Sequence, residues 1–472
     1  MDQQAFRRYA HQVIDMIADY LEQVERFPVQ SKAEPGSVRS KIPDSAPVHA
    51  QSFEHLMHDL DSIILPGITH WQHPGFMALF PSNSSYPSLL AEFIIAGLGV
   101  NAMVWETSPA ATELEESMMQ WLREMFCLPQ HFSGVIHDTA STSTLVAIIS
   151  AREQFSNYAI NENGFSGYEN MILYCSEQTH YSIEKDAKAA GIGKSNVKKI
   201  GTDHAFAMDP GQLEAAIQSD LEQGKKPFMV VATLGTTSSL AFDPLFAIGS
   251  ICKKYGLWLH IDAAYAGTAF ILPEYQHYLK GIEFADSYVF NPHKWMFTNF
   301  DCSVYFMKDA DHLIRVFTSN PDYLKRTIDE VTNYKDWGIN LGRRFRALKL
   351  WFVLRMFGVE GIQQKIRHHI QLATAFYDHI RADKKWELMA PFHMNVLCFR
   401  LHPEFMEEEE VISRLNEQIV KYVNAGGHFF LSGTRLNNKY VIRVVIGQTH
   451  VEERHVAGLI GTLEAAASAL LI

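Results

Sequence analysis

The stretch Phe290-Asn291-Pro292-His293-Lys294-Trp295 decides how this 472-residue chain reads. Ser287-Tyr288-Val289-Phe290 has the apolar, β-branched and aromatic make-up of a buried strand and runs straight into it. Apolar Trp295-Met296-Phe297 follows. This order puts the amine of Lys294 at the end of a buried strand, where desolvation disfavours an amine's charged form. An amine so placed can attack a carbonyl and hold it as an imine. Alone, such a lysine is far more often a surface-loop residue, so the reading turns on a partner.

That partner lies upstream. Leu257 to Ile261 reads as a second buried strand, ending in Asp262 and followed by Ala263, Ala264 and Gly267. An Asp at a strand end is often a cap or turn residue. Here Asp-Ala-Ala is followed 32 residues later (294 − 262) by His-Lys at another strand end, a far more specific pattern. Pyridoxal phosphate (PLP) needs both parts: a covalent anchor, and a carboxylate that keeps its pyridine nitrogen protonated so that the ring draws electrons. The two alanines leave room for a flat ring.

The motifs HIDAAYAG (260–267), FADSYVFNPHKW (284–295) and LGRRFRALKLWF (341–352) resemble those of the group II PLP-dependent decarboxylases of the aromatic-L-amino-acid decarboxylase type. The similarity runs from FRRYAHQVIDMIADYLE (6–22) to YVIRVVIG (440–447). It implies PLP fold type I (aspartate-aminotransferase-like), an α/β architecture. Lys294 becomes the cofactor's tether, Asp262 the partner of its pyridine nitrogen and His180 the imidazole flat against its ring. Ala140 and Ser141 match the phosphate seat, and Thr237, Ala264, Asn291 and His293 complete the cofactor's surroundings. Trp71, Phe80, Pro81, Ser82, Met103 and Gly342 match the substrate pocket. Tyr323, in the loop Ser319 to Lys325, falls on the tyrosine that returns a proton to the substrate carbon.

The resemblance implies decarboxylation of an aromatic L-amino acid (Trp, Phe, Tyr or DOPA) to its amine. Gly342 is Gly in aromatic-acid members and Ser in animal histidine decarboxylases, so histidine is the second choice. Relatives with Phe in place of Tyr323 make aldehydes, which keeps an aldehyde synthase as an alternative, and a PLP aminotransferase would share the fold and the lysine. Leu79 stands where animal members carry Tyr, and Met103 where Phe is usual. The segment from Tyr323 to Trp337 is shorter than theirs.

Composition agrees with such an enzyme. Apolar content of 47% and charged content of 20% are those of a globular chain. A net charge of −12 argues against nucleic acid or an anionic membrane as partner. Five scattered cysteines without CxxC spacing indicate neither a disulfide framework nor a metal site. Met1-Asp2-Gln3-Gln4 does not begin a secretory signal, and the apolar run from Leu89 to Val100 contains Glu92 and is too short to span a bilayer. A cytoplasmic enzyme is expected.

Strands are expected at 134–136, 171–175, 228–232, 257–261, 287–290 and 303–307, separated mostly by helical patterns. That predicts a mainly parallel central sheet with helices on both faces and functional loops at strand ends. Phe6, Ala10, Val13, Ile14, Ile17, Leu21 and Val24 fall at helical spacing. Their stripe needs a partner, either this chain's own core or a second subunit, and the resemblance implies a homodimer with the active site near the interface. The expected division is 1–84 as an N-terminal helical dimerisation segment, 85–351 as the large PLP-binding domain and 352–472 as a small C-terminal α+β domain. A long helix is predicted beyond Trp351, with strands at 396–401 and 440–445. Asn83-Ser84-Ser85 matches a glycosylation pattern that means little in a cytosolic protein. Arg343, Arg344 and Arg346 read first as salt-bridge partners, and Asp243 as support for the loop around Thr237 or for the phosphate region.

Overall fold

The computed structural model describes residues 1–318 and 331–471. Two compact units result. One comprises residues 82–371 and 390–397, the other 1–81, 372–389 and 398–472. In chain order the helices before the large sheet are α1 (Gln3–Glu22), α2 (Phe53–Asp59), α3 (Tyr86–Leu98) and α4 (Pro109–Met125).

The larger unit is built on seven strands: β1 (Ser133–His137), β2 (Met171–Ser176), β3 (Val197–Ile200), β4 (Lys226–Thr233), β5 (Trp258–Asp262), β6 (Ser287–Phe290) and β7 (Ser303–Met307). Their order is β1-β7-β6-β5-β4-β2-β3. The run from β3 to β6 is parallel, and β7 pairs antiparallel with both β6 and β1. The connections supply helices α5 (Ala140–Ser156), α6 (Ala159–Asn163), α7 (Ser182–Ala189), α8 (Pro210–Glu222), α9 (Leu245–Tyr255) and α10 (Pro292–Trp295), with α11 (Ala310–Phe317) after β7. Every residue of β2, β5, β6 and β7 is buried, which is why these strands read as near-continuous apolar runs. Strand β3 escapes the apolar pattern because it is the sheet's edge: Val197-Lys198-Lys199-Ile200 carries two lysines where an open ladder needs protection.

The long helix expected beyond Trp351 is α12 (Ala347–Ala382), interrupted at Gly358, whose φ of 66° lies outside helical geometry. The second sheet joins β8 (Trp386–Leu388), β9 (Val396–Leu401), β10 (Ser432–Leu436) and β11 (Lys439–Val445) in the order β10-β11-β9-β8. Its hairpin turns through Asn437 and Asn438, at φ 49° and 65°, the left-handed pair that a two-residue connection requires. Helices α13 (Glu409–Ala425) and α14 (Glu453–Leu470) complete that unit.

Candidate active site

Parallel pairing explains the spacing of the two central motifs. In register, Thr233 of β4, Asp262 of β5 and Val289 of β6 stand side by side at the carboxyl ends of their strands. The backbone stitches these ends together: Leu234 N–H donates to the Asp262 carbonyl at 2.8 Å, Ala263 N–H to Val289 at 2.9 Å and Asn291 N–H to Ala264 at 3.0 Å. Asp262 is 6% exposed, and its Oδ1 accepts the Ala264 N–H at 3.0 Å. Asn291 caps α10, and its carbonyl accepts the Lys294 N–H at 2.9 Å. Parallel sheets place ligands at these strand ends, so the 32-residue interval (294 − 262) is one crossover between neighbouring strands.

The turn that carries Lys294 is braced on every side. Asn83 donates its amide to the Lys294 carbonyl at 2.7 Å, and the Ser85 hydroxyl donates to the Phe297 carbonyl at 2.6 Å. His293 is buried and accepts the Cys302 N–H on Nδ1 at 3.0 Å. Burial, reinforced by the charge of Lys294, lowers its pKa to about 3, so it is a neutral clasp between the turn and β7. Trp295 stacks on Tyr265 with ring centroids 4.9 Å apart and donates from Nε1 to His369 Nδ1 at 3.0 Å.

His180 completes the group. Burial holds its imidazole below the ordinary histidine pKa; the Asp262 carboxylate acts upward on it and the Lys294 ammonium downward. Thus one imidazole lies within electrostatic reach of both the anchor and the acid. Its Nδ1 accepts from the Ser182 hydroxyl at 2.8 Å and from the Ser182 N–H at 3.3 Å, which leaves the proton on Nε2.

Ala140 and Ser141 form the first turn of α5. The first intrahelical bond there runs from Ser143 N–H to the Thr139 carbonyl at 3.2 Å, and Thr139 makes no side-chain cap. The leading amides of α5 are therefore turned outward at the positive end of the helix, the seat a phosphate uses. Thr237 is exposed at the turn after β4, whereas Thr236 points inward and accepts the Ala241 N–H at 3.0 Å. Asp243 fixes this loop, taking the Met208 and Thr233 N–H groups, each at 2.7 Å.

The remaining predicted residues fall into separate clusters. Half-buried Met103 and exposed Gly342 sit on two segments bridged at Asn101 and Arg344. The Asn101 carboxamide reaches Met103 Sδ at 3.6 Å and the Arg343 N–H at 3.0 Å, and the Met103 carbonyl accepts the Lys335 N–H at 2.9 Å. None of these bonds reaches Asp262 or Lys294. Trp71, Phe80 and Pro81 belong to the other unit, and Ser82 begins this one. There Trp71 stacks on Phe76 at 4.4 Å, and the Arg443 guanidinium lies 4.7 Å from the Phe80 ring. Pro81 is buried, Ser82 half-buried and Leu79 44% exposed. Tyr323 lies outside the described residues. Of the three arginines, Arg343 is a buried structural cation, with Nη2 2.6 Å from Glu115 and 2.9 Å from the Ile136 carbonyl. Arg346 grips Asp301 at 2.8 and 3.3 Å.

Sequence reasoning passed over two of these supports. Asn83 carried only a glycosylation pattern, whereas its side chain is a buried tether for the lysine turn. Ser182 had a usable signal in the His-x-Ser spacing from His180, which lets a hydroxyl curl back onto the ring.

A flat anionic cofactor with a ring nitrogen and an aldehyde fits this donor set: uncapped helix amides for its phosphate, Asp262 for its nitrogen, His180 and the small Ala264 for its ring, Lys294 for its carbon. Bound there, PLP supplies an electron sink for the pair released when a bond to the substrate's Cα breaks. The fold and this site define a fold type I PLP enzyme. The chain belongs to the pyridoxal-dependent decarboxylases, matching the pyridoxal-dependent decarboxylase conserved domain over residues 35–402. It is thus a carbon–carbon lyase with PLP as cofactor. It is 44% identical to tyrosine decarboxylase 2 of Narcissus pseudonarcissus, covering 97% of this chain and 92% of that one. It is 42% identical to phenylacetaldehyde synthase of Arabidopsis thaliana, covering 100% and 97%. The crystal structure of Catharanthus roseus tryptophan decarboxylase in complex with L-tryptophan superposes with a TM-score of 0.94 at 36% identity, covering 100% and 99%.

Proposed function

We propose that this enzyme decarboxylates aromatic L-amino acids, drawn from tryptophan, phenylalanine, tyrosine and DOPA, to the corresponding amines. The observation that carries the reading is the convergence of Lys294, Asp262 and His180 at the carboxyl ends of the parallel strands, in a chain whose relatives are named for tyrosine and tryptophan decarboxylation. Lys294 holds the cofactor until the substrate amine replaces it. Asp262 keeps the ring nitrogen charged, and His180 packs on the ring with its Nε2–H available. Tyr323 returns the proton to Cα, which favours amine over aldehyde. Gly342 leaves space for a large ring and Met103 adapts to it.

The same reading includes a homodimer. No residue of α1 is buried, and Phe6 is 64% and Ile14 46% exposed. On α3, Tyr86, Leu90 and Leu98 are 57%, 48% and 61% exposed. Such apolar faces suit a second copy. We assign Met103 and Gly342 to the partner's pocket, because Met103 bonds to Asn101 and Lys335, Asn101 in turn holds the Arg343 N–H next to Gly342, and none of these bonds runs toward Lys294.

The test is a panel of L-amino acids incubated with the PLP-loaded protein, with CO2, amine and aldehyde assayed together. Amine and CO2 in equal amounts from aromatic acids are expected. CO2 with aldehyde supports the alternative suggested by the phenylacetaldehyde synthase relative, and release of CO2 from histidine alone supports histidine decarboxylation. Absence of CO2 with transfer to a keto acid would make the protein an aminotransferase.

A further inference from the structure

A string of buried polar side chains, of which only Asn291 belongs to the motifs above, runs toward the turn that carries Lys294. It begins at His137, the last residue of β1, 7% exposed and stacked on Tyr305 at 5.5 Å. Nε2 of His137 is 3.1 Å from the Trp337 carbonyl, which can only accept, so this nitrogen carries the proton. Nδ1 then accepts from the Ser143 hydroxyl at 3.1 Å. Ser143 lies in the first turn of α5, fully buried, with its hydroxyl 3.4 Å from that of Ser303 on β7. Ser303 donates its one proton to Asn291 Oδ1 at 2.7 Å, so it meets Ser143 by packing of the two oxygens rather than by a hydrogen bond, and Asn291 holds the Lys294 N–H through its carbonyl. A Cβ on Gly338 would stand 2.9 Å from His137 Nε2, so the glycine beside Trp337 permits this approach.

We propose that His137 is a positioning residue for the cofactor: through Ser143, Ser303 and Asn291 it sets the register between the phosphate-seat end of α5 and the turn carrying Lys294, and it ties both to the backbone at Trp337. The inference rests on the reading of Lys294 as tether. A bridge from a carbonyl to a hydroxyl needs a donor on one side and an acceptor on the other, and a neutral imidazole offers both. Burial lowers the pKa of His137 to about 4, which keeps the ring in that neutral form. Glutamine offers the same pair of functions. Phenylalanine keeps the ring and its stacking on Tyr305 but removes the donor to the Trp337 carbonyl and leaves the Ser143 hydroxyl only the longer bond to the Thr139 carbonyl, at 3.4 Å.

The experiment uses the full-length protein loaded with PLP and compares wild type, His137→Phe, His137→Gln and Ser143→Ala. Cofactor release into a scavenger, the absorbance of the bound cofactor, borohydride fixation at Lys294 followed by mass spectrometry, and thermal unfolding of the cofactor-free protein are measured. Release about tenfold faster in His137→Phe and about threefold faster in Ser143→Ala is expected. Their absorbance should shift, cofactor-free unfolding should stay within a few degrees of wild type, and His137→Gln should restore release to within about twofold. Wild-type release and absorbance in both His137→Phe and Ser143→Ala overturn the proposal. Failure of His137→Gln to restore release does so too, as does loss of cooperative unfolding in all three cofactor-free variants, because the role is then only structural. Absence of a fixable adduct at Lys294 in the wild type is a different failure, since it removes the tether reading on which the inference rests.

Discussion

Ser182 and His180 form a two-point clasp, in which hydroxyl and backbone N–H of the serine both point at one ring nitrogen, at 2.8 and 3.3 Å. The clasp decides the tautomer of His180, because Nδ1 is committed as acceptor and Nε2 keeps the hydrogen. Ser182→Ala removes the stronger arm. One neutral hydrogen bond contributes about 1 kcal/mol, so kcat should fall about fivefold with an aromatic substrate. Cofactor content should stay that of wild type. Steady-state kinetics with parallel measurement of bound PLP checks this, and an unchanged kcat would mean that the backbone N–H alone fixes the ring.

Tyr323→Phe tests the fate of the substrate carbon. If Tyr323 returns the proton as proposed, loss of the phenol slows that step and molecular oxygen competes, so product should move from amine toward aldehyde, with ammonia and hydrogen peroxide released and oxygen consumed. Product chromatography and an oxygen electrode read both channels. If the variant yields amine as the wild type does, Tyr323 is not the proton donor.

The Arg343–Glu115 pair, 2.6 Å apart and nearly free of solvent, should behave as a structural unit. Arg343→Met alone leaves a buried carboxylate uncompensated and should cost about 3–5 kcal/mol of unfolding free energy. The double variant Arg343→Met with Glu115→Gln should recover much of that loss. Denaturant titration of the four members of the cycle measures the coupling.

How far the sequence could reach follows from the same physics. Buried strands announce themselves as apolar runs, so β2, β4, β5, β6 and β7 are legible, and with them the Asp262 and Lys294 ends. Edge strand β3 is not, because Lys198 and Lys199 mimic a loop. The start of α5 at Ala140 is masked by hydroxyl residues that favour caps as readily as helix. Supports that act across long sequence separations left no local signature. Asn83 reaches Lys294 from 211 positions away, and His137 reaches Trp337 from 200. Clusters such as Met103 with Gly342 were named by resemblance, and only the chain's folding brought the two segments together.

Gly342→Ser separates specificity from folding. Among the described residues a Cβ at this position would meet only Asn101 Nδ2, at 3.8 Å, so none of them obstructs the added side chain. Stability should stay within about 0.5 kcal/mol of wild type. If Gly342 makes room for an aromatic ring in the partner's pocket, kcat/KM for tryptophan should fall more than that for smaller substrates. Equal losses across the amino-acid panel would remove Gly342 from substrate selection.

Asp186, on α7, is 5% exposed, and its Oδ2 has no hydrogen-bond partner among the described residues. Burial is the main cause that raises its pKa from 3.8 to about 7; the Asp262 carboxylate adds to this and Lys185 opposes it. A carboxyl with a raised folded-state pKa binds its proton more tightly in the folded protein. Its contribution is therefore fully present below about pH 4 and is lost as pH rises through about 7. A difference of about three pKa units sets a ceiling of about 4 kcal/mol on that loss. Asp186→Asn keeps the shape and removes the ionisation, so relative to wild type it should gain about 2–4 kcal/mol at pH 8 and almost nothing at pH 4. Denaturant unfolding of both proteins across this range isolates the one group, since all other titrations are shared. A variant no more stable than wild type at pH 8 would mean that the ionised carboxylate is stabilised where it stands, and Asp186 would then be a second negative charge within electrostatic reach of Asp262.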